Sequence, residues 1–197
     1  MARQYFRSPL ADSLIVPVSA VSPGVTTTNI FTSSAANKYL PLPYGQNAPS
    51  PGQIFRVRFG GLCTTVSSTS NVGFQIFHGP GTTATGFGLL IAASSLVTTA
   101  AATAGNWVID GLLIYRAISE LISASTVWFA GTFMINGPSS GTVAPVTGII
   151  QSTAAIATAD TTGTAAAGLF GALSVAIIPG TTGSSWTPEF AFIESLN

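Results

Sequence analysis

Catalysis requires polar groups that converge, and this chain offers few. Its single histidine, His78, opens the run His78-Gly79-Pro80-Gly81, where a solvated turn residue is the ordinary role and a general base the exceptional one. One histidine and one cysteine cannot assemble a metal site of the usual kind. The carboxylates are Asp12, Asp110, Glu120, Asp160, Glu189 and Glu194. A glycoside hydrolase needs two carboxylates across a cleft, and Asp110 with Glu120, at either end of one strand and its turn, is the pairing to consider. The plainer reading has Asp110 facing outward from a strand and Glu120 sitting in the turn. Gly79-Pro80-Gly81 lacks the Lys and the following helix of a phosphate-cradling loop. No catalytic residue, metal ligand or cofactor is therefore expected, and the chain reads as a structural or binding module, not an enzyme.

Residues suited to binding are easier to find. Arg56 and Arg58 share a strand face two positions apart. They read either as a carboxylate- or sugar-binding patch, or as an exposed face whose charge is met by Asp110 or by a neighbouring subunit. Trp107, Trp128 and Trp186 could supply a sugar-stacking platform. Trp128, between Val127 and Phe129, reads as core, whereas Trp107 and Trp186 follow polar turns and read as partly exposed. Arg3, Tyr5, Phe6 and Arg7 combine the aromatic and guanidinium groups that commonly anchor protein interfaces. Cys63, the lone cysteine in an apolar run, reads as a small buried hydrophobe.

The elements that must position these residues are strands. Alternation of period two recurs between clusters of Gly, Pro, Ser and Thr, with no sustained helical period. In Gln53 to Phe59, residues Phe55, Val57 and Phe59 fall on one face and Ile54, Arg56 and Arg58 on the other; Gly60-Gly61 then marks a bulge or bend. Val72 to Phe77, Phe87 to Ile91, and Trp107 to Tyr115 follow. Thr126 to Ile135 is apolar on both faces, as in a strand between two layers or at a subunit interface. Leu173, Val175 and Ile177 form a late strand, and Phe190 and Phe192 alternate with Ala191 and Ile193 in the last; Leu14 to Val18 and Val25 to Thr32 are weaker candidates. Ala92 to Ala104 and Ser139 to Gly168, with few large side chains, read as long loops. This pattern predicts an all-β chain, an antiparallel β-sandwich of jelly-roll type over 51–197. Residues 1–50, with six prolines from Pro9 to Pro49 and Pro51 beyond, predict an extended arm carrying one or two strands. Such an arm suits a strap over a partner.

Composition narrows the partners. Only 6% of the 197 residues are charged, against about 25% in soluble domains. The formal net charge is zero, a poor state for a protein dispersed alone. Such a surface suits a subunit packed against copies of itself or a larger shell, and equally a secreted domain. Six basic residues balanced by six acidic ones give no stripe for phosphates, so no nucleic acid is expected. The most apolar stretch, Ala165 to Ile178, is interrupted by glycine and shorter than the ~20 residues of a spanning helix, so no membrane partner is expected. Asp12 and Pro17 interrupt the N-terminal apolar run, which argues against an export signal.

From Pro51 to Ile135 the order of features resembles the jelly-roll virion proteins of tailed bacteriophages, the decoration or minor capsid proteins on the outer surface of the head. The resemblance is carried by PGQIFRVRFGGLCTTV, a second strand ending in His-Gly-Pro-Gly, then NWVIDGLLIYRAIS and STVWFAGTFMING. Trp107, Gly111 and Arg116 match a W-x-x-x-G-x-L-x-x-R stretch of the family, Gly131 and Phe133 its G-x-F strand, and FAFIESLN its closing strand. It departs at Ser119-Glu120-Leu121-Ile122, where such proteins tend to have a Gly-rich turn, and in the long Ala/Thr loop before the last strands. The resemblance implies a β-sandwich, usually a homotrimer, that binds the major capsid protein and strengthens the shell without chemistry. It implies synthesis in the host bacterial cytoplasm and residence on the outer capsid surface. Arg3, Tyr5, Phe6 and Arg7 on the arm are the expected clamp, with Arg56, Arg58, Trp107 and Trp186 as further interface candidates. The rival readings are a carbohydrate-binding jelly roll (a tail-tip or secreted lectin) and the shell protein of a virus built from single jelly rolls.

Overall fold

A computed structural model describes residues 12–14, 27–30, 40–41, 52–65, 70–78, 89–99, 102–117, 125–136, 145–152, 156–158, 172–179 and 184–196. Among these residues there are thirteen strands and no helix. In chain order they are β1 (Asp12–Leu14), β2 (Thr28–Asn29), β3 (Leu40–Pro41), β4 (Ile54–Thr65), β5 (Ser70–His78), β6 (Leu89–Ser94) and β7 (Val97–Thr99). The remainder are β8 (Ala102–Ala117), β9 (Ser125–Asn136), β10 (Val146–Gln151), β11 (Ile156–Thr158), β12 (Ala172–Pro179) and β13 (Ser185–Ser195).

All the pairings are antiparallel, and they run in the order β1-β13-β4-β8-β9-β10-β6-β5-β12-β2. The shortest joint inside that path, matched by the β12–β2 joint at its end, is β10 to β6, where only Ile150↔Ser94 and Gln151↔Ala93 are in register. There the sheet folds over into two layers. The first is β1-β13-β4-β8-β9-β10, with β11 continuing along β9; the second is β6-β5-β12-β2, with β7 on β5 and β3 on β12. The fold is thus the all-β antiparallel sandwich, jelly-roll-like, that the alternation predicts.

One buried residue closes the fold-over. The Ser152 backbone N–H donates to the Phe129 carbonyl (2.9 Å), and its hydroxyl accepts the Phe129 N–H (2.9 Å) and donates to the Ile91 carbonyl (2.6 Å). A single side chain therefore ties β9 of one layer to β6 of the other.

The core lies between the layers and is filled by the alternating positions read from sequence: Phe55, Val57 and Phe59 from β4, Val72, Phe74 and Ile76 from β5, and Leu173, Val175 and Ile177 from β12, all at most 1% exposed. Phe74 is its hub. Three rings of the facing layer surround it: Trp107 stacked at 5.7 Å, Phe133 at 5.1 Å and Trp186 edge-on at 5.9 Å. Burying each such ring stabilises the fold by roughly 2–3 kcal/mol.

Several expectations change. Trp107 and Trp186 are both 0% exposed, because strand alternation, not the polar turn before them, decides their direction. Trp128 is the half-buried one, on the outward side of β9. The stretch read as a loop at 92–104 holds the end of β6, all of β7 and the start of β8, and the stretch read as a loop at 139–168 holds β10 and β11. Small residues serve there because large ones cross from neighbouring strands; the Phe133 ring occupies the space a Cβ on Gly148 would need. Gly60-Gly61 does not bulge β4. The irregularity is in β13 opposite, between Pro188 and Phe190. A Cβ on Gly61 would collide with the Thr187 carbonyl, and one on Gly60 with the Phe190 ring. The strand buried on both faces is β12, whose Ser174 and Ala176 are 0% exposed. On β9 the outward Thr132 and Met134 are exposed.

The arm, 1–50, contributes three short strands rather than one or two. β1 lies on the edge of β13, and β2 and β3 lie on the edge of β12. Ile30, just after β2, is a core residue at 0% exposure, and its N–H donates to the Val175 carbonyl (2.9 Å).

Candidate functional site

The charged residues converge on the outward face of the first layer. Alternation sends Phe55, Val57 and Phe59 into the core and so turns Arg56 and Arg58 out. The β4–β8 register pairs Arg58 with Asp110, and the β4–β13 register pairs Arg56 with Glu194. Arg56 grips Asp110 with two bonds, Nε to Oδ1 at 3.1 Å and Nη2 to Oδ2 at 2.8 Å. Arg58 reaches the same carboxylate through Nε at 3.3 Å. The outcome is the in-chain ion pair, one of the two readings the sequence left open.

The electrostatics follow from the geometry. The hydrogen bond from Arg56 holds the Asp110 carboxyl below its usual range; burial opposes this, and the charges of Arg56 and then Arg58 add to it. The Arg56 guanidinium is raised in turn, first by its bond to Asp110, then by that carboxylate's charge, with Glu194 adding a smaller part. A carboxylate so engaged is a poor general base. Both arginine side chains remain 45% exposed and Asp110 32%, so the pairs add little stability by themselves. Their role is to set the character of the surface.

Around this ladder the face is mixed, with Asn106, Arg116 and Thr132 exposed among apolar side chains. Of the eight exposed large hydrophobic residues among those described, five project from it: Leu62, Leu112, Met134, Ile149 and Phe190. Sequence reading found the arginines but missed these five. Their signal was present, since in each strand they alternate with the core series.

The other sites read from sequence fare differently. His78 is not a turn residue; it ends β5, half-buried, with Nε2 2.6 Å from the Tyr115 hydroxyl of the opposite layer. Tyr115 is 2% exposed and also meets Phe55 edge-on at 6.1 Å, so the histidine helps to join the layers. Cys63 is 3% exposed, and burial pushes its thiol up to about 12, which agrees with a packing role. Arg116 is exposed on β8. Arg3, Tyr5, Phe6 and Arg7, like Glu120 and Asp160, lie outside the described residues. Among the described residues no group of three or more His, Cys, Asp or Glu could hold a metal ion, and no helix is long and apolar enough to cross a membrane.

Comparison of the chain with known protein families, with curated proteins and with solved structures finds no match.

Proposed function

We propose that the chain is a non-enzymatic structural subunit that decorates and stabilises the outer surface of a tailed-phage capsid, acting in several copies against the major capsid protein. The observation that carries this reading is the outward face of the first layer. It is built from long central strands, exposes five large apolar side chains, and has a charge ladder already paired within the chain. Such a face gains by burial against protein. The resemblance to phage jelly-roll virion proteins adds the setting. Its motif residues Trp107, Gly111 and Phe133 serve as fold markers, with Trp107 and Phe133 packed on Phe74 and Gly111 leaving room for the Phe129 ring.

A shell under internal pressure separates only by breaking what bridges its subunits, and a specific bridge needs about 800 Å² per partner. Repetition over the lattice makes weak contacts act together. The three arm strands run on this chain's own sheet edges; Arg3, Tyr5, Phe6 and Arg7, before β1, are the clamp in this reading. The homotrimer, the residence on the virion and the synthesis in the host cytoplasm belong to this reading as the resemblance implies them. The carbohydrate-binding alternative loses two of its three candidate rings, since Trp107 and Trp186 are core residues.

The test is co-sedimentation of the purified chain with undecorated heads of the phage that encodes it, alongside a glycan array. Saturable binding at or below about 10 µM, with a blank array, is the expected result. Glycan binding without head binding would replace this reading.

A further inference from the structure

The outward face of the first layer has an internal order that a solvated face does not need. Across β4 and β8 the registered neighbours are Arg58 beside Asp110, Arg56 beside Leu112 and Ile54 beside Ile114. On the flanks, Phe190 of β13 and Met134 of β9 lie at the level of Gly60 and Val108. The charges on these strands, Arg56, Arg58, Arg116, Asp110, Glu189 and Glu194, are three of each sign. A face of net zero charge attracts no highly charged partner, yet it is complementary to its own copy turned over. Its size also suffices: five strands about 4.8 Å apart and some 30 Å long cover roughly 600–800 Å², near what a specific contact needs on each partner.

We propose that this face packs against the same face of a second copy, about a two-fold axis running along the strands between β4 and β8. The inference rests on the self-association in the reading above and names its surface and symmetry. The rotation lays β4 of each copy over β8 of the other at the same level. Arg58 of one copy then meets Asp110 of the other, Ile54 meets Ile114, Leu112 lies under the stem of Arg56, and Phe190 meets Met134. Sheets pack about 10 Å apart with strands within about 30° of each other, so these neighbours stay in reach. The contact is isologous, so it closes on itself as a dimer, or joins two trimers into a hexamer.

The experiment is light scattering at about 1, 10 and 100 µM, spanning the micromolar affinities such contacts show, on the wild type, Leu112→Glu, Met134→Glu and Leu96→Glu. Leu112 and Met134 are 38% and 36% exposed on the face, and Leu96, 54% exposed between β6 and β7, is the control away from it. Circular dichroism checks that each variant folds. The expected result is an even-numbered wild-type assembly, halved in mass or weakened at least tenfold by either face substitution and unchanged by Leu96→Glu. A single-chain wild type at every concentration would overturn the proposal and the self-association beneath it. An assembly indifferent to both face substitutions, or a lone trimer, would overturn the proposed face alone and leave head binding standing.

Discussion

Trp107 and Trp186 share one core, 6.4 Å apart and both fully buried, but their indole N–H groups fare differently. Trp186 Nε1 donates to the Ser184 hydroxyl at 3.2 Å, whereas Trp107 Nε1 is buried with no partner among the described residues. An unpaired buried donor costs about 1–3 kcal/mol. Replacing Trp107 by Phe therefore removes a penalty along with the lost ring area, while replacing Trp186 by Phe removes a satisfied bond and orphans Ser184. Urea denaturation is expected to show Trp107→Phe less destabilising than Trp186→Phe by about 1 kcal/mol; the reverse order would be inconsistent with this core. Asp110 provides a second test at this scale. Its folded-state carboxyl sits below the unfolded value, so its contribution is present above the ordinary aspartate value of about 3.9 and is lost as pH falls through the folded value. The urea midpoint of the wild type is expected to exceed that of Asp110→Asn slightly at pH 7 and to converge with it as the pH is lowered below the ordinary aspartate range. What was legible at this scale was that Arg56, Arg58 and Asp110 face outward from their strands; their pairing was one of the readings left open. The exposure of the tryptophans was not legible, because it depends on which face of each strand meets the second layer.

At the scale of elements, the long strands announced themselves. Phe55-Val57-Phe59, Val72-Phe74-Ile76 and Leu173-Val175-Ile177 alternate without interruption, and each series is the buried one. β7, β10 and β11 gave no such signal. They are short, rich in Thr, Ala and Gly, and exist because longer neighbours offer open edges; β10 follows β9 from Ile135 to Ala130 and leaves it toward β6. That departure depends on Ser152, a residue no periodicity singles out. Ser152→Ala would leave the Phe129 N–H and the Ile91 carbonyl without their side-chain partner at a buried corner. The expected loss is about 1–3 kcal/mol in chemical denaturation, with hydrogen exchange accelerated first at β6 and β10. Unchanged stability would mean that Ser152 does not hold this joint.

For the molecule as a whole, the sandwich, its strand-rich composition and its scarcity of charge all followed from the sequence, because fold class depends on pattern and not on any one contact. The order of the strands and the meeting of five exposed apolar residues on one face did not, since both arise from long-range register. That face and the scarcity of charge are what turn a β-sandwich into a candidate building block. The central claim is attachment to the outside of a phage head. Electron microscopy of undecorated heads incubated with the purified chain tests it most directly. The account predicts added density repeating at equivalent lattice positions on the outer surface, absent from untreated heads. Heads that remain bare with the folded chain in excess would contradict it.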